Sequence, residues 1–215
     1  MKYKLVAFWL VVFGALFAFL QTRFEYHFYY IEQSQLFLFT EAYIRNKLLL
    51  PGGFSMLVAE FLVQFFIRPY VGALVTAALL TGVGVCTAGI VKRIAPVSGL
   101  FILYVLPMLA LLFMHFDFNY RVQGTVCYLM MMALLCGYMR IRNDLFRLVA
   151  GCVLVPVLFW LAGSIAVLFA GMVCLFEGLR KTPKWYISLI GVAEVLLLGL
   201  SLIHISEPTR LLSIS

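Results

Sequence analysis

Long apolar runs, separated by short polar stretches, make up most of the chain. The runs lie at 4–21, 70–91, 98–114, 122–139, 148–178 and 185–200. Because a helix needs about 20 apolar residues to cross about 30 Å of hydrocarbon, these runs predict membrane-spanning helices. The run at 148–178 is too long for one span. Gly163-Ser164 divides it into helices 147–162 and 164–178, unless Pro156 kinks a single helix. The pattern therefore predicts an all-α, polytopic transmembrane bundle of about seven spans.

Residues 22–69 interrupt this pattern with polar and aromatic side chains. Four carboxylates and four cations fall in this stretch: Glu25, Glu32, Glu41, Glu60, Arg23, Arg45, Lys47 and Arg68. Residues 31–48 are too polar to span, and 54–67, which follow Pro51-Gly52-Gly53, are too short, so both predict interfacial helices at the outer face. Glu60 lies in an apolar run and therefore needs a partner or a polar cavity.

The distribution of Lys and Arg predicts the orientation in the membrane. If 54–67 do not cross and the N-terminus is cytoplasmic, ten cations before residue 201 lie inside and five outside. If 54–67 cross, the same N-terminus leaves four inside and eleven outside, which contradicts the positive-inside rule. If 54–67 cross and the N-terminus lies outside, the distribution of cations agrees with the rule. That arrangement requires Lys2 and Lys4 to be moved across the membrane, and it places the acidic loop in the cytoplasm. The first arrangement is preferred.

Composition supports an integral membrane protein. The chain is 65% hydrophobic and 12% charged, against about 25% charged in soluble domains. The net charge of +7 comes from cations in short loops and does not indicate nucleic-acid binding. The five cysteines form no CxxC or Cys/His cluster, so no disulfide, metal site or cofactor is predicted. No cleavage site follows the first run, which predicts an uncleaved anchor at 4–21 in the bacterial inner membrane.

The chain divides into an anchor span at 4–21, an outer loop at 22–69, further spans at 70–200, and a tail at 201–215. The tail contains Leu202–Arg210, LIHISEPTR, which closely resembles a translated sequencing adapter. Residues 1–200 are therefore interpreted as the N-terminal part of a longer transmembrane domain, and the tail as non-native.

The outer face gathers the candidate chemistry, because the loop 115–121 joins the acidic segment there. Carboxylates can act as general bases, and guanidinium groups bind phosphate. The candidate catalytic residues are Glu25, Glu32 and Asp117, and the candidate phosphate-binding residues are Arg23, Arg45 and Arg121. The alternative is a solvated interface in which Asp117 and Arg121 only cap a helix and face headgroups.

Two resemblances bear on function. The strings at 32–40, 51–54, 59–66 and 69–73 resemble an uncharacterised family of polytopic membrane proteins from Gram-negative gut bacteria, a domain of unknown function. The order of one span, an outer loop with two surface helices and then many spans is similar to GT-C glycosyltransferases. That resemblance implies a polyprenyl-phosphate sugar as partner, with Glu25 or Glu32 as the base, although GT-C enzymes more often use Asp.

The resulting hypothesis is a GT-C-like transferase module that acts on a lipid-linked sugar at the outer face. The alternative is a non-enzymatic transporter or assembly scaffold. A transporter should carry charged groups in mid-span. The candidates are the carboxylates Glu60 and Glu194, together with the polar but uncharged Gln64.

Overall fold

The computed structural model describes residues 2–94, 101–181, 186, 188–195, 197 and 199. The helices are α1 (Lys2–Arg23), α2 (Glu25–Ser34), α3 (Glu41–Leu48), α4 (Gly53–Val63), a 3-10 turn (Gln64–Ile67), α5 (Val71–Ile94), α6 (Phe101–Met114), α7 (Val122–Tyr138), α8 (Asp144–Ala162) and α9 (Ile165–Leu179). Residues 188–195 are also helical. No strand occurs in the described ranges, so the predicted all-α class is confirmed.

Among the residues that the structure describes, three helices are long and apolar enough to cross a membrane: Tyr3–Arg23, Val71–Ile94 and Asp144–Ala162. The shorter apolar helices are Gly53–Ile67, Ile102–Met114, Val122–Tyr138 and Ile165–Leu179. By length, the prediction of seven spans is therefore too high. Seventeen residues rise about 26 Å, which falls short of about 30 Å of hydrocarbon. The predicted span 185–200 and the tail 201–215 lie largely or wholly outside the described residues.

The predicted division of the run at 148–178 is confirmed. α8 ends at Ala162, and Gly163 follows with φ 71°, a left-handed conformation that favours glycine. Pro156 lies inside α8 and does not end it. At the other end of α8, the Asn143 side chain accepts hydrogen bonds from the Leu145 and Phe146 amides and caps the helix.

The predicted single helix over 31–48 is wrong, because residues 35–40 separate α2 from α3. Tertiary contacts hold this linker. The Phe37 carbonyl accepts a hydrogen bond from Gln64 Nε2 at 3.1 Å. The Phe37 and Phe39 rings pack edge-on against Phe61, with centroids 5.8 and 6.5 Å away. These contacts to α4 outweigh the local preference for a continuous helix.

The chain enters and leaves residues 24–70 at the same end of the bundle, here named the segment end. The Phe24 ring stacks on Phe116, beyond the end of α6, with centroids 5.0 Å apart. The Gly52 amide donates to the Trp160 carbonyl at 2.8 Å, near the end of α8. Phe66 packs on Phe28, with centroids 5.5 Å apart. α4 therefore lies across the bundle end.

The opposite end, here named the basic end, collects the ends of α5, α7 and α9 and the start of α8. Lys92 lies 5.7 Å from the centroid of the Tyr104 ring, and Arg93 Nη1 donates to the Cys136 carbonyl at 3.3 Å. The cations placed here by the described helices and their flanking turns are Lys4, Lys92, Arg93, Arg140, Arg142, Arg147, Arg180 and Lys181.

Three apolar clusters hold the described helices together. The first joins α1, α2, α4, α5, α6 and α7, and the second joins α5, α7, α8 and α9. The third is small and joins α1, α5 and α6 through Trp9, Ala88 and Tyr104. Ala59 and Val63 of α4 are fully buried in the first cluster. Burial of this face fixes α4 on the bundle and determines where its polar face points.

Candidate functional site

A small polar cavity opens at the segment end, between α3, α4, the end of α2 and the start of α7. It has a volume of about 240 Å³. Its lining residues are Ser34, Gln35, Leu36, Tyr43, Lys47, Met56, Ala59, Glu60, Arg121 and Gln123. We name it the Glu60 cavity. At about 30 Å³ for each water molecule in the liquid, this volume corresponds to about eight waters, which suits a sugar-sized polar headgroup but not a larger ligand.

Glu60 is the acidic side chain among the described residues that line this cavity. It is buried, at 8% exposure, and Tyr43 and Lys47 both bind its carboxylate. The Tyr43 hydroxyl donates to Oε2, and Lys47 Nζ lies 3.2 Å from Oε1. Each carboxylate oxygen has two lone pairs, so both oxygens retain acceptor capacity for a ligand.

Tyr43 is held as a hydrogen-bond donor. Burial, and then its hydrogen bond to Glu60, raise the pKa of Tyr43 to about 12. Its hydroxyl also lies 3.3 Å from the Leu36 carbonyl. Lys47 Nζ lies 5.4 Å from the centroid of the Tyr43 ring and 2.8 Å from Met56 Sδ. The cation is thus positioned at the cavity wall by several contacts.

The start of α7 contributes Gln123 to the cavity lining, and the residue before this helix contributes Arg121. Arg121 is exposed and precedes the first turn of α7. Gln123 Nε2 lies 3.4 Å from the Gly52 carbonyl and 3.4 Å from Ser55 Oγ, which connects α7 to the start of α4. The cavity therefore combines one carboxylate with two cations and several neutral donors, a set that suits a sugar hydroxyl next to a phosphate.

Two buried histidines, His27 and His115, also lie at the segment end. His115 Nε2 lies 2.8 Å from Thr125 Oγ1, and burial, followed by the nearby His27, lowers the pKa of His115 to about 4. Burial also lowers the pKa of His27, and Asp117 partly opposes this effect. Within the described part of the chain, neither ring nitrogen of His27 has a hydrogen-bond partner. Both side chains are therefore neutral near pH 7.

A second carboxylate–cation–tyrosine group lies at the basic end, fully inside the protein. Arg147 Nε and Nη2 bind the two oxygens of Glu177 at 2.6 and 2.9 Å, and the Tyr138 hydroxyl donates to Oε1 at 2.8 Å. Arg147 and Glu177 are both 0% exposed. Arg147 Nη2 also lies 2.9 Å from Asp144 Oδ1. These contacts join α7, α8 and α9.

The predicted acids lie at the segment end but do not line the Glu60 cavity. Glu25 and Asp117 are exposed, and Glu32 is half-buried on α2. Asp117 Oδ1 accepts a hydrogen bond from the Asn119 amide at 2.8 Å, as in a loop turn. Their catalytic roles remain predictions.

Among the predicted phosphate-binding residues, Arg121 lines the cavity. Arg23 is exposed at the end of α1. Arg45 is exposed and lines a separate, open pocket of about 570 Å³ together with Glu41 and Trp160. The structure thus brings one of the six predicted residues to the cavity.

A family model matches residues 1–213 of the chain. The chain belongs to the DUF6057 family, a family of unknown function. The predicted membership of a domain of unknown function is thereby confirmed. The matched region includes most of the 201–215 tail. The interpretation of this tail as non-native remains a prediction. Searches of curated proteins and of solved structures found no match.

The sequence pattern identified Glu60 as a residue that needs a partner, and the structure supplies Tyr43 and Lys47. Sequence reasoning missed both partners because they lie on a different helix from Glu60. The missed signal is an i,i+4 pair. Tyr43 and Lys47 share a face of α3, and the tight turn at Pro51-Gly52-Gly53 folds that face onto α4.

Proposed function

We propose that this DUF6057 member is a multi-pass protein of the bacterial inner membrane, with its basic end in the cytoplasm and its segment end outside. Three helices of spanning length support this proposal, and the shorter helices pack beside them. The distribution of charge gives further support, because cations concentrate at the end predicted to be cytoplasmic. Short helices can cross where the bilayer thins around the protein.

We further propose that the Glu60 cavity receives the sugar-phosphate headgroup of a polyprenyl-linked donor in a GT-C-like transfer. The observation that carries this proposal is the meeting of Glu60, Lys47 and Arg121 around one cavity. Arg121 and Lys47 would neutralise the phosphate, and Glu60 would accept a hydroxyl proton. Because the segment lies at a bundle end, the lipid tail of such a donor would extend beside the helices.

The chemical step balances with these groups. The oxygen of an acceptor hydroxyl forms a bond to the anomeric carbon, the bond from that carbon to the phosphate oxygen breaks, and the polyprenyl phosphate leaves. The acceptor proton passes to a Glu60 oxygen. Tyr43 stays protonated and orients the carboxylate. A positioned general base of this kind contributes about 10²–10⁴-fold to a rate.

The rival function is a non-enzymatic scaffold in which the same group only joins α3 to α4. The two hydrogen bonds to Glu60 favour this reading, because they already occupy one lone pair on each carboxylate oxygen. In that case Glu60 would affect folding and assembly but not transfer.

The test measures transfer of radiolabelled sugar from a polyprenyl-phosphate hexose by the full-length protein in vesicles. Glu60→Gln should lower the rate at least 100-fold, whereas the matched variants Glu32→Gln and Glu25→Gln should stay within about twofold. Arg121→Gln should weaken binding of a polyprenyl monophosphate about tenfold, and Arg68→Gln should not change it.

Each alternative result has a defined meaning. If the Glu25 or Glu32 variant loses transfer while Glu60→Gln stays active, the general base is a residue of α2 and not Glu60. Absence of transfer by the wild-type protein with any hexose donor would overturn the transferase proposal. Altered stability without altered transfer in Glu60→Gln would favour the scaffold.

A further inference from the structure

A basic pocket and an apolar groove meet at the basic end, away from the Glu60 cavity. The pocket has a volume of about 700 Å³ and is lined by Arg93, Arg140, Arg142 and Arg180, together with Ile94, Met139, Phe176 and Leu179. None of its described lining residues is acidic. Four guanidinium groups around one opening select for an anion that carries several oxygen acceptors.

These arginines come from three separate parts of the fold. Arg93 is in the last turn of α5, Arg140 and Arg142 lie between α7 and α8, and Arg180 follows α9. Arg180 Nη2 lies 3.8 Å from Asp144 Oδ1, at the outer limit of an ion pair, and both side chains are about half exposed. The buried Arg147–Glu177 pair joins α8 to α9 and so fixes this arrangement.

The apolar groove starts at the same place. It has a volume of about 940 Å³ and runs between α1, α5 and α7, with Leu5, Trp9, Phe13, Val85, Leu129 and Ala133 among its lining residues. It ends at Lys92 and Arg140, and Arg140 also lines the basic pocket. Its lining on α5 extends from Ala78 to Lys92, or about 21 Å of rise.

We propose that the pocket and groove together bind one anionic membrane phospholipid, with its phosphate at Arg140 and an acyl chain in the groove. The groove is longer than the hydrocarbon thickness of one leaflet, which is half of about 30 Å. Charge complementarity selects the headgroup, and the continuous apolar lining selects a lipid over a soluble phosphate. This inference rests on the membrane embedding proposed above but not on sugar transfer.

The test is native mass spectrometry of the full chain, purified in detergent and offered equal amounts of phosphatidylglycerol and phosphatidylcholine. The wild-type protein should retain phosphatidylglycerol preferentially. Each cation removed near the headgroup should reduce the preference for phosphatidylglycerol over phosphatidylcholine about fivefold. The double variant Lys92→Gln/Arg140→Gln should therefore reduce this preference about 25-fold. The matched charge loss Arg45→Gln/Arg68→Gln, at the segment end, should leave it unchanged.

Two further arms separate a lipid from a soluble ligand. Val85→Trp fills the groove and keeps every arginine, so it should reduce lipid retention. Inorganic phosphate and glycerol 3-phosphate at millimolar concentration should not displace the lipid. Three results would each overturn the proposal. The wild-type protein could retain both lipids equally, the two charge variants could lose the lipid preference equally, or soluble phosphate could displace the lipid.

This result is distinguishable from the transferase test. Glu60→Gln should retain the preference for phosphatidylglycerol. A protein that selects the lipid but shows no sugar transfer would contradict only the transferase. A protein that transfers sugar but shows no lipid selection would contradict only the lipid site.

Discussion

The two ends of the bundle contain the same three kinds of side chain in different surroundings. At the basic end, Glu177 is sealed inside the protein and held by both arms of Arg147. At the segment end, Glu60 has partners of similar chemistry, but its ion pair with Lys47 borders a cavity and keeps some exposure. A carboxylate with a cavity beside it can meet a ligand, whereas the sealed one can only stabilise the fold.

Breaking the sealed pair should give the largest change. Arg147→Met leaves Glu177 as a buried charge without its bidentate partner, so the free energy of unfolding in mixed micelles should fall by about 3–5 kcal/mol. The double variant Arg147→Met/Glu177→Leu removes both charges and should recover most of that loss. A double variant as unstable as the single one would contradict this account.

Acidification should act chiefly at the segment end, where both described histidines lie. The pKa of His115 is about 4, below the usual 6.5, so the unfolded chain binds more protons between these values. Stability should therefore fall as the pH drops from 6.5 to 4, by up to about 3 kcal/mol from His115.

The check is the free energy of unfolding at pH 7.5 and pH 4.5. His115→Gln should remove much of the difference, and the lowered pKa of His27 should contribute in the same direction. An unchanged pH dependence in His115→Gln would show that other groups cause the acid sensitivity.

The two tyrosines allow a matched comparison of the carboxylates. Tyr138→Phe removes a donor from a fully buried carboxylate and should cost about 1.5–3 kcal/mol of unfolding free energy. Tyr43→Phe removes a donor beside a cavity that water can enter, and should cost about 0.5–1 kcal/mol. Equal losses would indicate that Glu60 is as closed to solvent as Glu177.

The glycine contact that places α4 should give a further, modest effect. Gly52 has φ 77°, and a Cβ added there would lie 3.3 Å from the Gly163 backbone. Gly52→Ala should therefore destabilise the protein by about 1–2 kcal/mol. Gly171→Ala, inside α9 with open space around it, should be neutral or stabilising in the same thermal unfolding assay. A similar loss in both variants would contradict the proposed strain at Gly52.

The sequence alone was sufficient to predict the elements whose positions depend on local signals. Hydrophobic runs predicted the long helices, and Gly163 predicted the division between α8 and α9. The turn at Pro51-Gly52-Gly53 predicted where α4 begins. The number of helices of spanning length was overestimated because short apolar runs, such as 122–139 and 164–178, were counted as full spans.

The candidate site was less predictable, because its members meet only through tertiary contacts. Glu60 was recognisable as a carboxylate in an apolar run, but Arg121 reaches the same cavity through the docking of α4 on α7. The break at 35–40 depends on contacts with Phe61 of α4 and Gln64 of the 3-10 turn, which no local pattern in 31–48 encodes. Glu25 and Glu32 were selected by position in a loop, which does not specify the direction of a side chain.

The most direct test of this account compares Glu60→Gln with Glu177→Gln in the same protein preparation, measuring sugar transfer per folded molecule and the free energy of unfolding. We predict that Glu60→Gln loses at least 100-fold in transfer and about 1 kcal/mol or less in stability, whereas Glu177→Gln loses several kcal/mol in stability and retains transfer. Retained transfer in Glu60→Gln would contradict the account, whatever the result for Glu177→Gln.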